Sequence, residues 1–337
     1  MQGKAVYAAA ANVIELRSVE TDEKALKPNQ MLVKTRYSVI SPGTELDCLS
    51  ERESGWFHIP APLGYCAVAE VIAAGEAVSS YAVGDIVLSA SSHATYGVVD
   101  EEWTRGKVPA GIELRVAPLV HMALISITAL RNSSAELGDV AVVIGQGLVG
   151  NLAAQFFLRQ GCRVIAVDRL AGRLEVSKKC GVEMVVDAST SDAVQAVKDL
   201  TGGAGAEIVV EATGAAPAAL MGMDMTARNG EMILLGTPRG SHEADVIPLL
   251  RAVHRASPNL TLKGAHGGSI RSVPDPYVKH SLVRNARIVL DMVKRGELAF
   301  DPLISKVVKP SDAPAVYQEL REHPEKLMGV IFDWSPQ

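Results

Sequence analysis

The residues best suited to chemistry form a glycine-rich pattern near the middle of the chain. Gly145, Gly147 and Gly150 have the spacing G-x-G-x-x-G, between a run of β-branched residues and an amphipathic segment. In that context the first glycine permits a tight turn, the second lets the backbone approach a pyrophosphate, and the third lets helix and strand pack closely. The helix that follows presents free N–H groups and its positive dipole end to the phosphates. The pattern therefore predicts a dinucleotide-binding turn, with a glycine-rich turn that binds no ligand as the alternative.

An acidic side chain bears on which dinucleotide would bind. Asp168 ends the next predicted strand. A carboxylate at that position accepts hydrogen bonds from the adenosine ribose hydroxyls and repels a 2′-phosphate, so NAD is favoured over NADP. Arg169 and Arg173 keep NADP open, because either guanidinium could meet a 2′-phosphate. The alternative for both arginines is contact with adenine or solvent.

Two short turns follow later strands of the same series. Thr213-Gly214 and Gly236-Thr237 each come at the carboxyl end of an apolar strand. Ligands of doubly wound folds collect at that edge, so these turns are predicted to line the nicotinamide half, with a purely structural turn as the alternative for each. The predicted cofactor-binding residues are Gly145, Gln146, Gly147, Leu148, Val149, Gly150, Asp168, Arg169, Arg173, Thr213, Gly214, Gly236 and Thr237.

Alternating strand and helix signals must position these turns. Val140–Ile144 is too short and too apolar for a surface helix, whereas Leu148–Phe157 carries apolar residues at helical spacing and is followed by Gly161, a residue favoured at helix C-termini. Apolar strands joined by helices are buried on both faces, which predicts a parallel doubly wound sheet and an α/β fold class. Further strands are predicted at Arg163–Asp168, Met184–Asp187, Ile208–Glu211, Met232–Leu235 and Leu260–Lys263.

The chain on either side lacks this alternation. Its first hundred residues predict short β segments at Met31–Arg36, Val68–Ile72 and Asp85–Leu88, with loops at Ser41–Thr44 and Ile59–Pro62. The last sixty residues carry no Rossmann signal and are expected to rejoin this β body. The predicted domains are therefore a β-rich domain over 1–118, a Rossmann dinucleotide-binding domain over 119–270 and a C-terminal return over 271–337.

Composition excludes several classes of protein. The 337 residues are 48% hydrophobic and 21% charged, a balance typical of soluble globular chains. The net charge of −5, without a Lys/Arg block, argues against nucleic-acid binding. No apolar run predicts a secretory signal or a membrane span. The four cysteines form no C-x-x-C pair, so buried thiols in a reducing cytoplasm are expected rather than disulfides.

The whole layout resembles the medium-chain dehydrogenase/reductase superfamily, of the alcohol dehydrogenase type, over essentially the full length. The matching motifs are Pro42-Gly43-Thr44-Glu45, Pro62-Leu63-Gly64-Tyr65-Cys66, Gly75 with Val83-Gly84-Asp85, and the Gly145–Gly150 pattern. The resemblance implies a GroES-like β-rich catalytic domain beside the Rossmann domain. It also implies an NAD(P)-dependent enzyme that acts on a small-molecule alcohol or ketone.

The departures from the family pattern concern zinc. Zinc-dependent members carry Cys-Gly-Thr/Ser-Asp in the first motif and Gly-His-Glu in the second. Matched residue by residue, Pro42 replaces the zinc-binding cysteine, Tyr65 the zinc-binding histidine and Cys66 the glutamate. The cysteine lobe that holds structural zinc in many members is missing as well. The resemblance therefore points to a zinc-free branch. A rearranged metal site that uses Cys48, Cys66, His93 or His121 stays open.

Two groups of the superfamily look closest. Ser41–Glu45 together with Gly64-Tyr65 is similar to the bacteriochlorophyllide hydroxyethyl dehydrogenases, and His323–Val330 looks like the ending of bacterial dehydrogenases acting on sugars, glycosides or cyclitols, guloside 3-dehydrogenases included. Both groups interconvert a secondary alcohol and a ketone, which is the reaction expected here, with NAD and without zinc. An NAD(P)H-dependent enone or quinone reductase and a non-catalytic dinucleotide-binding protein are the alternatives.

Without a metal, side chains have to manage one proton and the developing alkoxide charge. Thr44 matches the family's hydroxyl relay position, although a threonine that caps its own turn is as common. Tyr65 could donate to the substrate oxygen or merely fill the space of the metal. His121 lies near the third zinc ligand of relatives and suits proton relay near neutral pH, with a core histidine as the alternative. His93 and Glu45 are weaker catalytic candidates, and Glu45 is expected to orient its neighbours.

One further expectation rests on the resemblance. Leu260–Gly264 resembles the edge strand through which relatives pair their Rossmann sheets, and an apolar edge strand needs covering in any case. A homodimer is therefore expected. The loops expected to select the substrate, around Ser50–His58 and His266–Tyr277, carry no motif that names a ligand.

Overall fold

A computed structural model describes residues 1–50 and 57–335. The chain divides into two compact units. The first unit comprises Met1–Met122, Arg271–Gly296 and Leu303–Gln337, and the second comprises Ala123–Ile270 and Glu297–Pro302. The segment Glu51–Trp56, which includes most of the first predicted substrate loop, lies outside the described residues.

Strands and helices follow one another along the described residues in an order that changes at about residue 119. The strands are β1 (Gln2–Ala10), β2 (Val13–Glu20), β3 (Gln30–Val39), β4 (Ala61–Pro62), β5 (Ala67–Ala74), β6 (Ile86–Ser89), β7 (Tyr96–Asp100), β8 (Val140–Ile144), β9 (Arg163–Asp168), β10 (Met184–Asp187), β11 (Ala206–Glu211), β12 (Thr226–Leu234), β13 (Thr261–Gly264), β14 (Ile304–Val308) and β15 (Gly329–Asp333). The helices are α1 (Pro42–Leu49), α2 (Leu119–Asn132), α3 (Leu148–Gln160), α4 (Ala171–Lys179), α5 (Ala193–Leu200), α6 (Ala216–Met225), α7 (Ile247–His254), α8 (Leu282–Lys294) and α9 (Ala313–Glu322).

The first unit is built on two sheets. β2, β1 and β4 form an antiparallel three-stranded sheet. The second sheet has the order β14-β15-β3-β5-β6, with β7 paired to β3. It is a mixed sheet, because β14 and β15 are parallel and the other pairs are antiparallel. Since β15 pairs with β3, the C-terminal segment contributes a strand to the β-rich body.

The second unit contains a six-stranded parallel sheet. Its order is β10-β9-β8-β11-β12-β13, and each neighbouring pair is parallel. Counted from β8 as the first strand, this is the order 3-2-1-4-5-6 of dinucleotide-binding folds. All five residues of β8 are buried, as the apolar sequence predicts for a strand covered on both faces. The doubly wound parallel sheet expected from the sequence is confirmed.

Several local predictions from the sequence were wrong or incomplete. The predicted loop at Ser41–Thr44 is instead the start of helix α1, because Pro42 occupies the first helical turn, where its fixed φ suits the helix and its missing N–H costs nothing. The second predicted loop also contains structure, since Ala61 and Pro62 pair with β1. The pattern also gave no sign of helices α5, α6 and α7.

Two composition-based expectations can be compared with the structure. All four cysteines, Cys48, Cys66, Cys162 and Cys180, are buried free thiols, which confirms that they form no disulfides. Within residues 1–50 and 57–335, none of the helices combines the length and the apolar character needed to cross a bilayer.

Candidate functional site

The three glycines of the G-x-G-x-x-G pattern occupy three different environments in the second unit. Gly145 has φ +92°, and a Cβ on it would lie 2.6 Å from Thr213 Cγ2. A Cβ on Gly150 would overlap the carbonyl oxygen of Gly145, so strand β8 and helix α3 pack in direct contact there. A Cβ on Gly147 would meet only Arg173 Nη1, at 3.8 Å. The turn is therefore tight at its first and third glycines and open at the second.

Helix α3 begins at this open position. Its N-cap is Gly147, and no side chain caps the first-turn N–H groups. A helix N-terminus without a side-chain cap leaves N–H donors for a phosphate, and the helix dipole favours a negative charge there. A pyrophosphate group fits this turn, which Leu148 and Val149 continue into the helix.

Asp168 links the end of strand β9 to the glycine turn. Its Oδ2 accepts a hydrogen bond from the Gln146 N–H at 2.6 Å, and its Oδ1 accepts one from the Leu170 N–H at 2.8 Å. Each carboxylate oxygen has capacity for a second donor, such as a ribose hydroxyl. Arg173 Nη1 lies 4.0 Å from Asp168 Oδ2, whereas Arg169 is exposed. The groups that would accept and oppose a 2′-phosphate therefore stand side by side.

A polar chain beneath the turn was not predicted from the sequence. The Gln146 Nε2 donates to the Val143 carbonyl, and its Oε1 accepts from the Ser177 hydroxyl at 2.9 Å. Ser177 in turn accepts from the Asn151 amide at 3.0 Å. These side chains are buried and hydrogen-bonded to one another, so they hold the turn in place. No local motif signals them, because each acts through a partner distant in the sequence.

The turn that follows β11 contacts the glycine turn, and the turn that follows β12 contacts the turn after β11. The buried carboxylate of Glu211 accepts the N–H groups of Thr213 and Gly214 at 2.6 and 3.0 Å, and burial raises the pKa of Glu211. A Cβ on Gly236 would overlap the Gly214 nitrogen, so the second turn lies directly on the first. Thr237, which follows Gly236, is exposed. The predicted cofactor residues of three strands thus meet at the carboxyl edge of the sheet.

Three hydroxyl groups meet in the first unit. The Tyr65 hydroxyl donates to Ser41 Oγ at 2.7 Å, and it also interacts with the side chain of Thr44. Burial, with the nearby Cys66 thiol, raises the pKa of Tyr65, so its phenol stays protonated at neutral pH. We call Ser41, Thr44 and Tyr65 the hydroxyl cluster. The sequence singled out Thr44 and Tyr65 separately, and Ser41 was missed as their partner.

A second set of polar side chains, buried behind the hydroxyl cluster, is termed the buried network: Ser38, Glu45, His93, Tyr317 and Trp334. His93 Nε2 lies 3.2 Å from Glu45 Oε2, which also accepts the Tyr317 hydroxyl. His93 Nδ1 lies 2.8 Å from Ser38 Oγ, which accepts from the Trp334 indole N–H at 2.9 Å. The sequence suggested Glu45 and His93 only as weak catalytic candidates. Their partners come from β3, α9 and the C-terminal segment, and no pattern links these.

His121, the remaining catalytic candidate, lies near the start of helix α2, in the part of the helix that belongs to the first unit. Its Nε2 is 3.1 Å from the Ala67 carbonyl, to which it donates. Burial, with a contribution from the positive charge of Arg105, lowers the pKa of His121 to about 4. The imidazole is therefore neutral at physiological pH, which does not suit the proton relay near neutral pH that the sequence suggested.

Arg105 is a further residue that the sequence did not single out. Its guanidinium donates to Ser272 Oγ at 3.2 Å and lies 5.5 Å from the centre of the Trp103 ring. Its charge acts on both Cys66 and His121.

The side chains at the family's zinc positions do not fit a zinc ion. Pro42 offers no donor atom, Tyr65 is a protonated phenol, and burial raises the pKa of the Cys66 thiol, which disfavours the thiolate that zinc binds. The nitrogens of His93 already have partners in Ser38 and Glu45. Across the part of the chain that the structure describes, no cluster of three or more His, Cys, Asp or Glu side chains suits a metal.

Comparison with known proteins gives matches along the chain. A family model for zinc-binding dehydrogenases matches residues 149–281. D-guloside 3-dehydrogenase of Escherichia coli (strain K12) is 26% identical over 98% of this chain and 100% of the relative. Sorbitol dehydrogenase of Halalkalibacterium halodurans is 26% identical over 64% of this chain and 72% of the relative. A Sinorhizobium meliloti 1021 structure, described as a zinc-binding dehydrogenase bound to NADP, has a TM-score of 0.82 and 21% identity over 99% of each chain.

These matches and the architecture, with two sheets in the β-rich first unit and one parallel sheet in the second, define the fold of an α/β dehydrogenase with a β-rich unit and a Rossmann unit. Along its length the chain is similar to members of the medium-chain dehydrogenase/reductase superfamily, and it is an enzyme of the NAD(P)-dependent alcohol dehydrogenase/reductase class.

Proposed function

We propose that this enzyme interconverts a secondary alcohol and a ketone on a sugar, glycoside, cyclitol or related polyol, with NAD and without zinc. The observation that carries the proposal is the hydroxyl cluster, since protonated oxygen donors stand where zinc-dependent members have metal ligands. The names of the relatives, which act on a guloside and on sorbitol, support a polyhydroxylated substrate.

A nicotinamide dinucleotide, when bound, supplies the hydride acceptor or donor for this chemistry. The chain's part is to hold it. The open backbone at Gly147 and the uncapped start of α3 would take the pyrophosphate, and Asp168 would take the ribose hydroxyls. Thr213, Gly214, Gly236 and Thr237 would lie along the nicotinamide half.

The hydroxyl cluster would handle the proton. Because burial makes a phenolate costly, Tyr65 keeps its proton, and its single O–H would turn from Ser41 Oγ to donate a hydrogen bond to the carbonyl oxygen of a ketone substrate. That bond strengthens as negative charge develops on the oxygen, and so it favours the transition state over the ground state. Thr44, at the family's relay position, would pass the proton to or from the substrate oxygen. His121 would not take part as an acid, because its imidazole is neutral.

The choice of NAD rests on Asp168. Its carboxylate stands where a 2′-phosphate would approach, and bringing two negative charges together is unfavourable. Arg173 and the NADP-bound relative favour the other choice. We propose NAD as the preferred cofactor because Asp168 is the more buried of the two charges, and its charge is therefore less screened by solvent.

Binding and turnover assays test this proposal. NAD and NADP binding would be compared by fluorescence, and turnover would then be measured with D-gulosides, sorbitol and cyclitols, with and without a chelator. We expect NAD-dependent oxidation that the chelator leaves unchanged. Enone reduction with NADPH alone would make the protein an enone or quinone reductase. Tight NAD binding without turnover of either substrate class would make it a non-catalytic binding protein.

We also propose that a second copy of this chain covers strand β13. On its inner side β13 pairs with β12, and Leu262 on β13 is 39% exposed. Helix α7 of the same unit has four exposed apolar residues in or beside it: Val246, Ile247, Leu250 and Val253. Light scattering on the purified protein should give the mass of a homodimer, and a monomer at micromolar concentration would contradict it. A cytoplasmic location stays a prediction from composition.

A further inference from the structure

His93 bridges the two segments that carry the hydroxyl cluster. Its backbone N–H donates to the Leu63 carbonyl at 2.7 Å, and its ring lies against the next residue, Gly64. A Cβ on Gly64 would stand 2.5 Å from His93 Cδ2, and Gly64 has φ +87°, so only glycine suits the turn that leads to Tyr65. The ring's far side contacts Glu45 in helix α1, the helix that carries Thr44.

Glu45 extends this bridge to the start of helix α1. Its Oε1 accepts the backbone N–H of Ser41 at 2.7 Å, which fixes the N-terminus of the helix. Its Oε2 accepts the Tyr317 hydroxyl and faces His93 Nε2. Glu45 is 2% exposed, so the carboxylate depends on these donors in place of water. Loss of one donor would leave a buried charge partly unsatisfied, and the helix start would shift.

The hydrogen-bond pattern defines the tautomer of His93. As a carboxylate, Glu45 can only accept, so the neutral ring of His93 presents an Nε2–H to it, and Ser38 Oγ, which accepts from the Trp334 indole N–H, directs its own hydrogen to Nδ1. Nδ1 is then the acceptor, and the ring proton sits on Nε2, facing Glu45. The tautomer that results is the one in which each member of the buried network has a matching partner.

Among the residues that the structure describes, no hydrogen bond between side chains joins the buried network to the hydroxyl cluster. The link between them is the Ser41 backbone N–H on Glu45, and an amide N–H does not pass a proton on during turnover. The side chains of Glu45, His93 and Tyr317 are also buried, at 2%, 0% and 1% exposure, so they have no access to a substrate. A direct catalytic role for Glu45 or His93 is thereby disfavoured.

We infer that His93, Glu45 and Tyr317 are positioning residues, which hold Ser41, Thr44 and Tyr65 in mutual contact without exchanging the catalytic proton. Ser38 supports them by its hydrogen bond to His93 Nδ1, and Trp334 holds the Ser38 hydroxyl in turn. This inference rests on the proposed function for its catalytic meaning. Its structural content, the tautomer and the coupling of two segments, can be measured without turnover.

The first test reads the tautomer directly. The full-length protein would be labelled with 15N-histidine, and long-range 1H–15N spectra would be recorded between pH 6 and 8, with His93→Gln to assign the signal. We expect a protonated Nε2 and an unprotonated Nδ1. A protonated Nδ1 in the unmodified protein would overturn the inference.

The second test removes one donor. Tyr317→Phe deletes the hydroxyl that Glu45 accepts, and Tyr81→Phe is the matched control, since its hydroxyl donates to the Thr104 carbonyl at 3.3 Å in the same unit. Amide exchange at residues 41–49 and 64–66 should speed up several-fold in Tyr317→Phe and remain unchanged in Tyr81→Phe. Unchanged exchange in both variants would overturn the inference, whether or not a substrate is known.

Turnover then separates positioning from proton transfer. In Tyr317→Phe we expect kcat to fall roughly 10- to 100-fold, as small displacements of reacting groups do, with the same KM for NAD and the same shape of pH profile. A changed pH profile would make the buried network a proton relay and would contradict the inference. If no substrate is turned over, the proposed function fails, and the tautomer and exchange results still decide this inference.

Discussion

The two units build their sites from different parts of the chain. In the second unit, backbone atoms form the predicted dinucleotide site: glycines at a turn, free N–H groups at a helix start and turns at three strand ends. In the first unit, side chains form the hydroxyl cluster and the buried network, and they come from segments up to 296 residues apart. The backbone-built site has a local sequence signature, whereas the site built from side chains does not have one.

The two sites also differ in how they treat charge. The dinucleotide site keeps a carboxylate and a guanidinium close together, Asp168 and Arg173, and offers a positive helix end. The hydroxyl cluster is made of neutral groups, because burial keeps Tyr65 protonated. The site for an anionic cofactor thus contains charged groups, whereas the site for a single proton is neutral.

The largest expected effect comes from substituting a glycine of the backbone-built site. Gly150→Ala places a Cβ on the Gly145 carbonyl, and we expect it to abolish NAD binding and to lower the free energy of unfolding by about 2 kcal/mol or more. Gly147→Ala has room in the fold but blocks the ligand's approach, so it should weaken NAD binding roughly tenfold with little change in stability. Titration calorimetry and urea unfolding measure both.

Gly267→Ala is the control for this pair, because a Cβ there makes only ordinary contact, 3.8 Å from Ile125 Cγ1, and its backbone is not left-handed. It should leave both NAD binding and stability unchanged. Equal stability losses in Gly147→Ala and Gly150→Ala would contradict the different environments of the two glycines.

The next effect breaks the site built from side chains. Tyr65→Phe removes the phenol that donates to Ser41, and we expect kcat to fall about 10²- to 10³-fold, the range for loss of one oxyanion donor. NAD binding should be unchanged. Steady-state kinetics with the substrate found in the screen measures this, with Tyr81→Phe again as the control. An undiminished kcat would reduce Tyr65 to a space-filling residue.

A third prediction uses His121 and pH. The folded pKa of about 4 lies below the ordinary histidine value of 6.5, so the unfolded chain takes up the proton first as pH falls. The free energy of unfolding should therefore have its full value above pH 6.5 and decrease by about 3 kcal/mol between pH 6.5 and pH 4. His121→Asn should flatten that slope, whereas His323→Asn, at an exposed site, should not. Identical slopes in all three proteins would contradict the burial of an uncharged imidazole.

The smallest expected effect concerns the relative affinities for NAD and NADP. Arg173→Ala removes the guanidinium near Asp168, and we expect the NADP affinity to fall about threefold while the NAD affinity hardly changes, because only the 2′-phosphate gains from that charge. Fluorescence titration with both dinucleotides measures the ratio. A larger loss for NAD than for NADP would place Arg173 on the shared part of the cofactor.

The features that the sequence predicts best are those that depend on backbone and local pattern, as in the dinucleotide site. Strands β8, β9 and β10 were predicted with their observed bounds, because each is a short apolar run between turn residues. The glycines and Asp168 were predicted through a local motif. The start of helix α1, Ser41–Thr44, was predicted as a loop, since its proline and glycine suggest a turn and its stabilising contact is the Glu45 side chain.

The buried network was beyond prediction for a different physical reason. Tyr317 and Trp334 look like ordinary aromatic core residues in their own segments, and only the fold brings them to Glu45 and Ser38. The protonation states of Tyr65 and His121 likewise depend on burial, which spacing along the chain does not give.

The central claim is that protonated side-chain hydroxyls take the place of a metal in this dehydrogenase. It is tested most directly by measuring turnover of the purified enzyme against its zinc content, determined by mass spectrometry, as zinc is removed and then added back. We predict that turnover stays constant while the zinc content falls to background. Turnover that rises and falls in proportion to bound zinc would contradict the claim.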